Sequence, residues 1–371
     1  MAGIYIHIPF CRKACHYCDF HFSTSLANAQ PMVDAIIKEL KDRAFELKGN
    51  SIETIYFGGG TPSVLSPHAI ESILGTIESH FEVQTSMEIT FEANPDDCDI
   101  ANLKTWKSLG INRLSIGVQS FDQHDLEWMN RSHTSNQAKT SIRNAAECGF
   151  DRINMDLIYG VPEMPEEIWH NNVSQAMELP IDHISAYSLT VEEGTALHSF
   201  IRQNKYSPIN DEKAVREFEY FQQQIDRNGW LHYEISNYCK PGAMAIHNTN
   251  YWKQKPYLGV GPSAHSYNGK SRRWNLANNP KYMKSVLANE VFWEEEKLSW
   301  SDQVNEFIML GLRTMWGVDL NKLQRLHGHE IEEYDIDRFV QQGLLSNTNS
   351  HLVLTREGKA FADQIASELF V

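Results

Sequence analysis

The chain has 371 residues, more than one ordinary domain of ~100–200 residues, although an α/β barrel reaches ~250 as a single unit. Hydrophobic residues make up 42% and charged residues 22%, a globular composition that excludes a disordered or fibrous chain. A formal net charge of −15 argues against a surface built broadly for nucleic acid or anionic lipid. Residues Met1–Phe10 lack both the basic region and the long apolar core of a secretion signal, and no run reaches the ~20 apolar residues of a membrane span. A cytoplasmic protein is expected.

Short β-rich runs occur at Ile4–Ile8, Thr54–Phe57, Met87–Phe91, Arg113–Val118, Arg152–Ile158 and His183–Leu189. Between them, Val33–Leu47, Ala69–His80, Gln137–Cys148 and Glu166–Glu178 carry helical periodicity. Strand–helix–strand order at this spacing predicts right-handed βαβ units in a parallel sheet, with chemistry expected in the loops after the strand C-termini. Six strands suit an open sheet and an incomplete barrel alike. A long amphipathic helix, Asp211–Arg227, completes a first unit over residues 1–229. From Trp230 to Asn279 the chain is rich in Tyr, Trp, His, Asn, Pro and Gly, so an irregular segment folding over a pocket is expected within residues 230–290. After the acidic Glu294–Glu296, the tail reads as helices at Ser301–Met315, Asp319–Leu326 and Ile331–Gln341, a strand near Leu352–Leu354 and a helix over Arg356–Leu369. That order predicts a smaller, mainly helical, winged-helix-like domain over 291–371, built for packing or partner contact.

Three of the six cysteines, Cys11, Cys15 and Cys18, lie within eight residues directly after the first strand. A cytosolic chain keeps thiols reduced, so this cluster points to metal rather than disulfides. Zinc sites usually show two separated ligand pairs, and no second pair follows, although His16 offers a fourth ligand for a structural zinc. Soft thiolates suit iron–sulfur clusters, and three of them hold three irons of a cube and leave the fourth open to substrate. Cys98, Cys148 and Cys239 are scattered and read as small buried hydrophobes.

The spacing C-x3-C-x2-C, with Tyr17 before the last cysteine, resembles the signature of the radical S-adenosylmethionine (SAM) superfamily. The fuller string Ile6-His7-Ile8-Pro9-Phe10-Cys11 resembles the branch that holds oxygen-independent coproporphyrinogen III oxidase and its haem-chaperone relatives. The resemblance implies an incomplete six-stranded (β/α) barrel, a [4Fe-4S] cluster on Cys11, Cys15 and Cys18, and SAM chelated to the open iron. Further matching motifs end the predicted strands. Gly58-Gly59-Gly60-Thr61-Pro62 permits close backbone approach to a ligand, as would any tight glycine turn, and the resemblance assigns Gly59, Gly60 and Thr61 to SAM. Glu92, in Glu92-Ala93-Asn94-Pro95, can accept hydrogen bonds from a ribose or an ammonium. Gln119, in Ser115-Ile116-Gly117-Val118-Gln119, Arg131 twelve residues on, and Asp156, in Asn154-Met155-Asp156, are implied to line the SAM site, with Tyr5 and Tyr17 beside the cluster loop. Whether one or two SAM molecules bind stays open.

Two features separate the branches. The oxidase pattern carries a further cysteine two residues after the third, where this chain has Phe20, and an N-terminal extension, where only ten residues precede Cys11. His247-Asn248-Thr249-Asn250-Tyr251-Trp252 matches the H-N-x-x-Y-W string that the chaperone branch links to haem. A neutral imidazole is a good axial ligand, and Tyr251 and Trp252 can pack on a porphyrin; His232, Tyr238 and His265 are alternative ligands. The resemblance therefore implies a haem chaperone with haem as cargo and apo-haemoproteins such as respiratory cytochromes as recipients. It implies an electron donor such as flavodoxin or ferredoxin and no nucleic acid, and leaves a homodimer and transient membrane contact open. The rival expectations are oxidative decarboxylation of coproporphyrinogen III and a SAM-dependent reaction on a substrate other than a tetrapyrrole.

Overall fold

A computed structural model describes all 371 residues. Its first half alternates β1 (Ala2–Ile8), α1 (Ala29–Arg43), β2 (Ile52–Gly59), α2 (Pro67–His80), β3 (Val83–Ala93), α3 (Ile100–Ser108) and β4 (Arg113–Gln119). There follow α4 (Gln123–Trp128), α5 (Ser135–Glu147), β5 (Arg152–Tyr159), α6 (Glu166–Glu178), β6 (His183–Ser188), α7 (Ala196–Arg202) and α8 (Asp211–Arg227). Strands β1 to β6 pair in parallel and in chain order, giving the incomplete six-stranded (β/α) barrel. Period-2 alternation divides the two sheet faces. Ile4, Ile6 and Ile8 of β1, Ile55 and Phe57 of β2 and Phe91 of β3 are buried in the main core. Tyr5, Tyr56, Glu92, Ser115 and Asp156 occupy the intervening positions and face the barrel interior, where a polar lining is affordable only if its groups pair with one another or with a ligand.

The stretch from Trp230 to Asn279 departs from the irregular segment expected. It contains β7 (Leu231–Glu234), β8 (Asn237–Cys239), α9 (Ile246–Trp252), β9 (Tyr257–Val260), β10 (His265–Tyr267) and β11 (Ser271–Asn275), followed by α10 (Asn279–Ala288) and β12 (Trp293–Lys297). These strands extend both edges of the barrel sheet in the order β12-β11-β10-β9-β1 and β6-β8-β7, making twelve strands in all. The acidic triplet Glu294–Glu296 lies within β12, with Arg272 opposite Glu296 and Arg273 opposite Glu295. One buried carboxylate ties this extension to the barrel. Glu39, fully buried on α1, accepts from Arg43 at 2.7 Å, Asn275 at 2.8 Å, the Gly261 amide at 2.9 Å and Tyr282 at 2.5 Å. Glu39→Ala removes four buried hydrogen bonds, while Arg43 keeps its pair with Glu46 at 2.7 Å, so it is expected to cost about 2–4 kcal/mol in denaturant unfolding.

The C-terminal domain has its own core, from Val304 to Leu369. It comprises α11 (Trp300–Leu312), β13 (Val318–Asp319), α12 (Leu320–His327), α13 (Glu333–Gln341), β14 (Leu345–Thr348), β15 (His351–Leu354) and α14 (Ala362–Glu368), with a sheet ordered β13-β15-β14. Helices with a β14–β15 hairpin make it winged-helix-like. Backbone bonds from Ile235 to Arg313 (3.0 Å) and from Met315 to Tyr233 (3.0 Å) fasten it to the barrel side. No helix is long and apolar enough to cross a membrane.

Candidate functional site

The three cysteines lie on the loop after β1, all free and half-buried. Neighbouring segments hold that loop in place. The Cys11 amide donates to Ser23 O at 3.0 Å, the His16 amide to Met129 O at 3.1 Å, and Thr61 Oγ1 to Cys11 Sγ at 3.4 Å. Arg131 donates to Cys15 Sγ at 3.2 Å. Burial, reinforced by Cys15, pushes the Cys11 and Cys18 thiols up, Cys18 to about 12. The Cys11 and Cys18 thiols thus stay protonated unless a cation compensates them, the electrostatic pattern of a metal-ligand loop. The His16 imidazole, the fourth ligand a zinc reading invokes, bonds Trp128 O at 2.8 Å and meets the Phe200 ring edge-on.

Residues from the strand C-termini surround this loop. Gly59 adopts φ +103°, and a Cβ on Gly60 would stand 2.6 Å from Phe10 O, so the glycine turn packs directly on the cysteine loop. Glu92 accepts from Tyr56 Oη at 2.7 Å, and a Cβ on Gly58 would approach Glu92 Oε1 to 3.0 Å. Asp156 accepts from Asn154 Nδ2 at 2.7 Å. The Tyr5 hydroxyl pairs with His7 Nδ1 at 3.3 Å, and the Tyr5 ring stacks on Tyr56 at 6.0 Å. Gln119 ends β4 at φ +68°, a strained conformation for a residue with a side chain, and its buried Oε1 has no partner. Arg131 donates through Nη2 to Asn94 Oδ1 (2.9 Å) and Gly117 O (2.8 Å), lies 3.5 Å from the Tyr17 hydroxyl, and leaves its buried Nε unpaired.

Cys11, Cys15, Cys18, Tyr5, Tyr17, Gly59, Gly60, Thr61, Glu92, Gln119, Arg131 and Asp156 therefore come together at one end of the barrel. Arg131 differs from a free clamp for a ligand carboxylate, because its terminal nitrogens already bind protein and only Nε is open. Tyr56 and Asn94 were missed as site residues. The signal for Tyr56 was its place two residues before Gly58, which puts both on the interior face. The residues fit a thiolate-held cluster with an adjacent polar ligand: three soft donors on one loop, a backbone cradle, and the two orphaned polar atoms of Gln119 and Arg131.

His247 lies apart from this group. Helix α9 sits at the N-terminal ends of β2 and β3, where the Ile246 and His247 amides donate to the Glu88 carboxylate at 3.0 and 2.9 Å. The His247 ring is buried, with Nδ1 on Thr54 Oγ1 at 2.8 Å and Nε2 on the Tyr251 hydroxyl at 2.8 Å. Burial, aided by Arg113, lowers its pKa to about 3 and keeps the imidazole neutral. Its ring centroid is 5.0 Å from that of Tyr56, so Tyr56 stands between the two ends of the barrel. Of the alternatives, Tyr238 is fully buried, and His232 stacks on it at 4.1 Å.

Comparisons with known proteins agree with this geometry. Residues 5–171 match the family model of the radical SAM superfamily, and residues 298–361 that of the HemN C-terminal domain. The chain is 34% identical to the haem chaperone HemW of Lactococcus lactis over 95% of its own length and 93% of that relative. It is 31% identical to HemW of Bacillus subtilis, covering 98% of each chain, and 30% identical to HemW of Escherichia coli, covering 100% of this chain and 98% of that one. Among solved structures, coproporphyrinogen III oxidase of Escherichia coli superposes with a TM-score of 0.86 at 21% identity, over 100% of this chain and 90% of the oxidase, a likeness of fold. A radical-SAM barrel, a HemN-type C-terminal domain and near-full-length identity to these relatives lead to one assignment: the chain belongs to the HemW family of the radical SAM superfamily.

Proposed function

We propose that this protein is a cytoplasmic haem chaperone that binds haem and passes it to apo-haemoproteins such as respiratory cytochromes. The observation that carries the reading is identity to HemW relatives along nearly the whole chain, and this chain's own H-N-x-x-Y-W string, His247–Trp252, supports it. In this reading Cys11, Cys15 and Cys18 hold a [4Fe-4S] cluster, and Tyr5, Gly59, Gly60, Thr61, Glu92, Gln119, Arg131 and Asp156 surround SAM. When bound, the cluster supplies one-electron chemistry toward SAM, fed by a donor such as flavodoxin or ferredoxin. The chain's own part is to orient: Arg131 braces the cysteine loop against β4, and Tyr56 aims Glu92. His247 is the haem-ligating residue of this reading. Its lone pair becomes available when the bonds to Thr54 and Tyr251 open, at a net cost of about 1 kcal/mol each, so ligation by His247 goes with displacement of α9. Haem titration beside an anaerobic coproporphyrinogen assay tests the function; haem uptake without turnover is expected, and failure to bind haem overturns it.

SAM binding carries its own pH signature. Burial pushes Glu92 up to about 8, Asp156 adds to the shift, and Tyr56 and Arg113 oppose it. A hydroxyl or ammonium donated by SAM selects the ionised carboxylate. Binding therefore releases a proton at neutral pH, and affinity rises by up to about tenfold per unit as pH climbs toward 8. Calorimetry in buffers of different ionisation enthalpy reads the proton. Glu92→Gln is expected to flatten the profile and weaken SAM while iron content stays constant. A pH-independent affinity in the parent chain contradicts the placement.

A further inference from the structure

Arg113 is the first residue of β4, on the interior face at the floor of the barrel, and is 3% exposed. An arginine this deeply buried is almost always paired. The Arg113 side chain donates no hydrogen bond within the chain, and no carboxylate oxygen lies within 4.0 Å of it. Burial works against its charge, while Glu88, ahead of Tyr233, Tyr56 and Asp182, favours it and leaves the pKa above its ordinary value. Thr90, which lies opposite Arg113 in the β3–β4 register, leaves its buried Oγ1 without a partner. The floor beside them is closed by short bonds, His183 Nδ1 to Asn154 Oδ1 at 2.6 Å and His183 Nε2 to the Tyr233 hydroxyl at 2.7 Å. Two unsatisfied polar groups thus meet in an otherwise paired interior.

The carboxylate that attracts Arg113 most is engaged elsewhere. Glu88 lies two residues before Thr90 on β3, hence on the same face and one strand away from Arg113. Both of its oxygens accept from α9, Oε2 from the Ile246 amide at 3.0 Å and Oε1 from the His247 amide at 2.9 Å. Ala245, the N-cap of α9, has no side-chain oxygen to offer, so Glu88 caps the helix from another strand. With seven residues, α9 is too short to persist without such contacts. The same helix carries His247, whose ring is kept neutral by burial first and by Arg113 second.

Resting on the haem-chaperone reading, in which His247 is freed as α9 is displaced, we infer that Arg113 is a positioning residue for that displacement: it takes over the Glu88 carboxylate as the two α9 amides leave it. In the seated conformation Glu88 serves the helix and Arg113 goes unpaired. In the displaced conformation the helix amides meet water, and Glu88 and Arg113 close into an ion pair. This exchange of partners keeps Glu88 from standing bare on the floor and removes the unpaired guanidinium. Both effects lower the free energy of displacement.

Native-state hydrogen exchange of the α9 amides in the full, haem-free chain tests this, because exchange there reads the displaced population. In Arg113→Met, and in the polar but neutral Arg113→Gln, α9 protection is expected to rise by about tenfold, since displacement no longer gains a charge-assisted pair. Arg113→Lys keeps the charge and is expected to return protection toward the parent value. In a Glu88→Gln background, Arg113→Met is expected to change α9 protection no further. Haem affinity of the neutral variants is expected to fall by the factor by which protection rises, with iron content unchanged, because the binding-competent fraction falls by that factor. A purely structural Arg113 predicts the opposite, α9 protection unchanged or lower in the neutral variants, and either result overturns the inference. Should Arg113→Met fail to fold, Arg113→Gln carries the same test. A parent chain that binds no haem, while α9 protection still rises in the neutral variants, overturns instead the chaperone reading beneath it.

Discussion

Alanine in place of any one of Cys11, Cys15 or Cys18 is expected to yield a chain that no longer retains a cluster, where the parent takes up about four irons on anaerobic reconstitution. The loss is all-or-none because a cube held by three thiolates cannot stay anchored on two, and no other cysteine can substitute. Cys98 and Cys239 are buried in the core, and the Cys148 thiol lies against Ile100 O, 48 residues from its own position in sequence. Alanine at these three positions is therefore expected to leave iron uptake intact. Iron and acid-labile sulfide analysis with visible absorption checks the result. Stoichiometric zinc uptake with no sulfide-to-iron absorption contradicts it.

The second large effect concerns His247. Replacing it by alanine removes a neutral, buried imidazole and both of its hydrogen bonds, to Thr54 and Tyr251. Haem affinity is expected to fall by about tenfold or more and the Soret band to shift, since the ligating imidazole is gone. Iron–sulfur content is expected to stay at the parent level, because α9 packs on the N-terminal strand ends and the cysteine loop follows the C-terminal end of β1. Unchanged haem affinity and spectrum in this variant contradict the role of His247. A protein that also loses its cluster points to global unfolding, which the thermal midpoint reports independently.

Much of this arrangement was legible in the sequence, and the rest was hidden for identifiable reasons. The six barrel strands stand out because β-branched and aromatic residues alternate between helix-facing and interior positions, with proline and glycine at the joints. Their order brings the loop of Cys11 beside Thr61 and that of Cys15 beside Arg131, so motifs dispersed along the chain converge. The edge strands β7 to β12 escape that reading. They are three to five residues long, and their Tyr, His, Asn and Arg residues mask the alternation. Glu294–Glu296 carries no apolar alternation that marks a strand, and its pairing with Arg272 and Arg273 depends on tertiary register. The inward turn of His247 has a partial signal in the spacing of His247 and Tyr251, four residues apart and hence on one helical face. Which way that face points is decided by Glu88 capping α9 from β3, a contact between residues 159 positions apart.

The central claim is carriage of haem on a radical-SAM scaffold whose fold it shares with an oxidase. Phe20, two residues past Cys18, is 66% exposed and carries an aromatic ring where the oxidase pattern has a cysteine. The decisive measurement is an anaerobic assay of the cluster-reconstituted protein with coproporphyrinogen III, SAM and a reductant, run beside a haem titration of the same preparation. Stable haem uptake with no formation of protoporphyrinogen IX is the predicted result. Sustained conversion of coproporphyrinogen III, with no haem retained, is the result that would contradict it.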